Sequence, residues 1–318
     1  MRLFRALFSA LRNHPYQTAI LFVIVAWILG VRTYNVITLE KGYARIAGLL
    51  ESVEELKNGT TATDLYDAKY FAAMSAEVYR LPHVPGAKTE LPSCDLGVIL
   101  GDWKLLGSSD GFPLKPDGFD GDQAGWDGDL VYGVWYRKLD PQNLQIALVF
   151  RGTHTFGDWW SNVRWFTKYF GAGWDQYDLA QTVADYVADG LTADHPELQG
   201  FANVEYIAAG HSLGGGQAQQ AGYANTKFKR VYSFNGSSVT GFYDLAQSER
   251  DENKQGLRIY RISERGEVLA LLRGFMKVIY PVVEKNPKIV EATYNYGERG
   301  LISQHSIDDL ACSLNGEG

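Results

Sequence analysis

Between positions 204 and 216 the chain reads Val-Glu-Tyr-Ile-Ala-Ala-Gly-His-Ser-Leu-Gly-Gly-Gly, an apolar strand that passes through Gly210-His211-Ser212-Leu213-Gly214 into a helical segment. A strand that turns directly into a helix brings the backbone of the turn close to its neighbours, so Gly210 and Gly214 flank the serine where a Cβ would collide. The turn lifts Ser212 to one edge of a sheet whose central strand is this one. That commits the chain to an α/β arrangement, since the helix that follows must pack back on the strand.

The alternation continues on both sides. Residues 130–136 and 144–150 read as strands separated by the Asp140-Pro141 turn, and the second is almost wholly apolar, as a strand covered on both faces is. A helix is predicted over 175–191 with Leu179, Val183 and Val187 on its apolar face. Strands over 230–234 and 257–262 each follow a helical segment, and an apolar helix over 64–79 opens the domain ahead of Pro82 and Pro85. Together these predict a mostly parallel central sheet in one α/β domain over 63–318. A chain of 318 residues that is 46% hydrophobic has the apolar material for that core.

The amino-terminal part is different. Residues 13–31 carry no formal charge, and their apolar run predicts a transmembrane helix over 15–35. No small-x-small pattern follows the run, which favours an uncleaved anchor over a signal peptide. Ahead of it, residues 1–14 form an amphipathic segment, with Leu3, Phe4, Leu7, Phe8 and Leu11 on one face and Arg2, Arg5 and Arg12 off it. Residues 36–62 are expected to be a membrane-proximal spacer, helical over 40–56 and ended by Asn58-Gly59. Basic residues flank the span almost equally, with Arg32, Lys41 and Arg45 after it. The amino-terminal arginines put that end in the cytoplasm and the large domain in the periplasm of a bacterial inner membrane. The lipid bilayer is therefore the expected partner of the amino-terminal helix.

A net charge of −7, without a basic patch, argues against a nucleic-acid partner. Cys94 and Cys312 lack metal-ligand spacing. Whether they pair, in an oxidising compartment, or stay as buried thiols is open at this level. Asp110, Asp117, Asp120, Asp122, Asp127 and Asp129 lie in a Gly-rich loop, but their spacing is not that of a calcium loop closed by a bidentate Glu. A solvated loop is expected, with no metal and no cofactor.

A serine hydroxyl is a weak nucleophile at neutral pH, so Ser212 requires a histidine base oriented by a carboxylate, in the chain order Ser, acid, His. Of six histidines, His14, His83, His154 and His195 precede the elbow and His211 adjoins Ser212, which leaves His305. For the acid, Glu267 follows Gly266 and precedes an apolar pair, as suits a carboxylate at the edge of a core. Glu264, beside Arg265, reads as a solvated loop charge and stays a rival, as does Asp244. Oxyanion donors are expected from Leu213 N–H and from Thr153, which follows the apolar strand over 144–150.

Phe150-Arg151-Gly152-Thr153, then Asp158-Trp159 and Asn162, then Gly210-His211-Ser212-Leu213-Gly214-Gly215 resemble the class 3 lipases, the family of the fungal triacylglycerol lipases, over roughly residues 63–318. The resemblance implies an α/β-hydrolase fold and hydrolysis of lipid esters, with Ser212 as nucleophile, Thr153 in the oxyanion site and His305 as base. The chain departs from it at the acid, with Glu267 where members usually carry Asp. It also implies a lid after the oxyanion residue; the aromatic residues of that segment, Trp159, Trp160, Trp165 and Phe166 among them, are suited to receive acyl chains or touch a bilayer, or equally to pack as the core face of an amphipathic helix. The expectation is a membrane-anchored serine carboxylic-ester hydrolase, a lipase or phospholipase working through an acyl-enzyme. A thioesterase or acyltransferase with the same triad, or a non-catalytic interaction protein on this fold, are the alternatives.

Overall fold

The fold is described from a computed structural model, for residues 43–45, 60–82, 87–109, 130–152, 176–237, 240–242, 245–264, 266, 269, 287–294, 296 and 305–316. The expected span over 15–35 lies outside these. Among the described residues no helix is long and apolar enough to cross a membrane.

One sheet of eight strands organises the domain: β1 (Tyr43–Arg45), β2 (Lys104–Ser108), β3 (Tyr132–Lys138), β4 (Asn143–Phe150), β5 (Asn203–His211), β6 (Phe228–Phe234), β7 (Arg258–Glu264) and β8 (Lys288–Tyr294). Their order is β1-β8-β7-β6-β5-β4-β3-β2. β4 to β8 are mutually parallel, while β1, β2 and β3 extend the two edges by antiparallel pairing. The elbow strand β5 thus has parallel neighbours on both sides, as its sequence demands.

Alternate side chains of the parallel strands enter two different cores, which is why these strands read as almost continuously apolar. On one face Ala147, Val149, Ile207, Ala209, Tyr232 and Ile262 pack with helices α1 (Thr60–Glu77) and α7 (Ile307–Asn315). On the other, Ile146, Leu148, Ala208, Val231 and Ile259 pack with α3 (Gln176–Asp189) and α5 (Leu213–Ala224). Shorter helices are α2 (Leu96–Leu100), α4 (Leu191–Asp194) and α6 (Gln247–Asn253).

Two features depart from the sequence reading, and a third settles a point it left open. Tyr43–Arg45, expected inside a helix over 40–56, are a strand: Tyr43, Ala44 and Arg45 pair with Thr293, Ala292 and Glu291 of β8. An open sheet edge presents unpaired N–H and C=O groups, and satisfying them outweighs the weak helical propensity of a short segment. β2 and β8 were not foreseen either, because both lie toward the edges and carry polar residues among the apolar ones. Finally, Cys94 and Cys312 are joined in a disulfide that ties the loop before α2 to α7.

Candidate active site

The site is built where β4 to β7 end. At the end of β5 the chain turns at Ser212, whose backbone lies at φ 57°, ψ −123°, a region that residues with a Cβ rarely occupy. The surroundings hold it there. Ser212 N–H donates to the Phe234 carbonyl at 3.0 Å, and the Ser212 carbonyl accepts from Gly215 N–H at 3.0 Å and Ser237 N–H at 2.9 Å. The flanking glycines are required as expected: a Cβ on Gly210 would run into the Gly214 carbonyl, and one on Gly214 into the Phe150 carbonyl. The elbow and the end of β4 are therefore in direct contact.

Ser212 is 7% exposed and caps the N-terminus of α5. Leu213, the first residue of that helix, has an N–H with no intrahelical acceptor, next to the serine and at the positive end of the helix dipole. Across from it stands Gly152. A Cβ there would come within 2.6 Å of the His211 carbonyl, 2.7 Å of the Tyr79 hydroxyl and 2.9 Å of Ser212 Cβ. The residue that precedes Thr153 thus stands so near the Ser212 side chain that it has no room for one of its own. Thr153 lies outside the described residues, as do Trp159, Trp160, Trp165, Phe166, Asp244 and Glu267.

His305 precedes α7, whose cap Ser306 accepts Asp309 N–H at 3.3 Å. Its ring lies 4.7 Å from the His211 ring, and its main-chain oxygen is 2.8 Å from His211 Nε2. The structure therefore brings the expected base against the residue immediately before the expected nucleophile. His211 is 6% exposed. Burial first, then the neighbouring His305 and Lys88, hold its pKa well below the ordinary histidine range, against the bond to the His305 backbone. On its other side His211 Nδ1 lies 2.9 Å from the Tyr79 hydroxyl, which also accepts Gly152 N–H at 3.1 Å.

Glu264 corrects the expectation of a solvated charge: it is 5% exposed. β7 continues two residues past Ile262, and the strand alternation turns Glu264 to the same face as Tyr260 and Ile262, the side occupied by α1 and α7. Its carboxylate accepts Tyr296 N–H at 2.9 and 3.2 Å, and its own N–H donates to Asn235 Oδ1 at 2.8 Å. Asn235, just beyond β6, adopts a positive φ of 42°. A buried acid in this position is hard to foresee, because Ser-Glu-Arg-Gly looks like the start of a loop.

Tyr79 carries no chemical signal in the sequence, yet it is buried in the turn after α1 and its hydroxyl meets both His211 at the end of β5 and Gly152 just beyond β4. The positional signal is faint: a tyrosine two residues past the end of a helix.

Among known proteins, a family model described as a domain of unknown function (DUF6792) matches residues 117–266. That stretch contains Gly152, Ser212 and Glu264 but neither Tyr79 nor His305. No curated protein matches the chain. Among solved structures it is similar to the Lip2 lipase of Yarrowia lipolytica, at 16% identity over 74% of this chain and 77% of that one, with a TM-score of 0.40. It is also similar to the M37 lipase, at 12% identity over 81% and 80% and a TM-score of 0.36. A Pyrobaculum calidifontis esterase is similar at 12% identity over 81% and 92%, with a TM-score of 0.33. At these scores the likenesses carry no argument about activity, which rests on the chemistry of the site.

Proposed function

We propose that the chain is a membrane-anchored serine carboxylic-ester hydrolase with an α/β-hydrolase fold, a lipase or phospholipase working through an acyl-enzyme. The observation that carries this reading is Ser212. It is a serine held at φ 57° between β5 and α5, with the first-turn N–H of Leu213 beside it and His305 packed on its neighbour. A strained non-glycine residue persists only where its surroundings over-determine it, and a nucleophile gains from that rigidity.

In this reading Ser212 Oγ attacks the ester carbonyl while His305 takes its proton. The tetrahedral oxyanion is met by Leu213 N–H and by Thr153. Collapse breaks the bond to the alkoxide, which leaves with the proton from His305. Water, activated by the same imidazole, then releases the acid. The chemistry needs no cofactor. The orienting carboxylate comes from the end of β7 or just beyond it: Glu267 by its position in the motif, and Glu264, the last residue of β7, as the rival whose burial favours it.

Lipid esters as substrate, rather than small soluble ones, are supported by the apolar run over 15–35 and by the aromatic segment holding Trp159, Trp160, Trp165 and Phe166. A periplasmic position of the domain is supported by the Cys94–Cys312 disulfide, which suits an oxidising compartment. The deciding experiment is labelling of the folded chain by a fluorophosphonate. Labelling is expected in the wild type and absent in Ser212→Ala at unchanged Tm. A folded wild type that stays unlabelled points to the non-catalytic alternative, and turnover of acyl thioesters in preference to glycerolipids points to the thioesterase.

A further inference from the structure

Four segments distant in sequence meet at one buried imidazole that the mechanism above leaves unused. Gly152 N–H donates to the Tyr79 oxygen at 3.1 Å, that oxygen lies 2.9 Å from His211 Nδ1, and His211 Nε2 lies 2.8 Å from the main-chain oxygen of His305. A carbonyl oxygen only accepts, so Nε2 carries a proton. The Tyr79 oxygen already accepts from Gly152, so its own proton turns to Nδ1, which accepts it. The imidazole is then neutral, with its proton on Nε2. Burial agrees, lowering the pKa of His211 and raising that of Tyr79. The titratable and charged groups that face the pair are His305 and Lys88 toward His211, and Arg151 and Asp308 toward Tyr79.

We propose that His211 is the positioning residue of the base: its Nε2–H fixes the His305 backbone, and through Nδ1 and Tyr79 it ties that position to Gly152, where the oxyanion loop begins. Because His211 is bonded to Ser212, one ring sets nucleophile, base and oxyanion loop relative to one another. The inference rests on the proposed roles of Ser212 and His305. Its energetic logic is that misplacing a reacting group by about 1 Å costs on the order of a hundredfold in rate. Gly152 adds an independent constraint, since it has no room for a Cβ against this same cluster.

The test separates the two ring nitrogens. In His211→Gln the longer amide reaches toward the Nε2 position and keeps a donor for the His305 carbonyl. His211→Asn retains only the side of the ring that faces Tyr79. On a short soluble ester, His211→Asn is expected to lower kcat by about a hundredfold with little change in KM, and His211→Gln to restore it to within about tenfold of wild type. Tyr79→Phe, which keeps the ring and the fold, is expected to lower kcat by about tenfold. The His305 imidazole NMR signals, recorded in a Ser212→Ala background, should move in the Asn variant and return in the Gln variant. Equal losses in the Gln and Asn variants, or losses that merely follow a fall in Tm, overturn the proposal. If neither His211 variant folds, unchanged kcat and unchanged His305 signals in Tyr79→Phe overturn it. A wild type that fails to label with fluorophosphonate overturns the hydrolase reading instead. The His305 signals then decide this inference alone, since they require no turnover.

Discussion

Arg80 closes on Asp308 with both terminal nitrogens, Nη1 on Oδ1 and Nη2 on Oδ2, each at 2.8 Å. The pair joins the turn after α1 to the first turn of α7, three residues beyond His305. Lys88 adds a third contact at 3.3 Å. The side chains are 10% and 17% exposed, so the geometry is both bidentate and shielded. Burial alone would raise the Asp308 carboxyl, but the Arg80 bonds and the Lys88 charge outweigh it and hold the pKa below its ordinary value. A depressed acid contributes stability above its unfolded pKa and loses it as pH falls through the folded one. Asp308→Asn is therefore expected to cost about 2–3 kcal/mol at pH 7 in urea unfolding. The gap from wild type should shrink as the pH falls below about 4. An undiminished gap at pH 3 would contradict this account.

The Cys94–Cys312 disulfide spans 218 positions and holds the same helix from its other end. A cross-link over so long a loop mainly restricts the unfolded chain, and its removal is expected to cost about 2–5 kcal/mol. The paired Cys94→Ala, Cys312→Ala variant should show a lower Tm than the oxidised protein and match the protein treated with reductant. Since α7 follows directly on His305, fluorophosphonate labelling should slow in both. An oxidised and a reduced protein of equal Tm would show that α7 docks without the bond.

At the opposite end of the parallel strands Asp64 is 2% exposed. It accepts from Arg230 Nη1 and Arg258 Nε at 2.9 Å each and from the Tyr260 hydroxyl, while its carbonyl accepts the Tyr232 hydroxyl at 2.7 Å. Arg230 and Arg258 begin the parallel strands whose far ends carry the site. Removing Asp64 takes the carboxylate from Arg258 and leaves Arg230 only Asp67 and Glu205, so Asp64→Ala is expected to cost about 3–5 kcal/mol. The kcat of the molecules that remain folded should be unchanged. A variant with full stability but impaired turnover would contradict a purely structural role for this end of the strands.

How far the sequence could be read follows from where information is local. The elbow was legible because glycine spacing, an apolar strand and a following helix sit within a few residues. β4 was legible because a strand that feeds two cores has no polar face. His305 is reached by elimination, because it alone among the histidines follows Ser212, and the fold sets it against His211. β1 was misread because its partner Glu291–Thr293 is some 250 positions away, and edge pairing leaves no local period. Tyr79 and Glu264 escaped for the same reason. Their roles come from partners at Gly152, His211 and Tyr296, which only the folded chain brings near.

That distance between motif and contact bears on the acid. Glu264 is buried and on the α7 side of the sheet, yet its carboxylate takes Tyr296 N–H and its main chain takes Asn235, so it clamps the ends of β6, β7 and β8 together. Gly266, the residue before Glu267 in sequence, adopts a φ of 74°. A clamp and an orienting acid differ in what loss of charge does. Glu267→Gln should preserve Tm and lower kcat by about 10³–10⁴-fold, as when an orienting carboxylate no longer selects the tautomer of its histidine. Glu264→Gln should keep the shape of the clamp but weaken it, lowering stability by about 1–3 kcal/mol with kcat within about tenfold. Activity measured on a short ester, with Tm followed in parallel, separates the two. If Glu264→Gln alone abolishes turnover in a folded protein, the acid is the buried residue at the end of β7, and the motif position has been taken over by its neighbour.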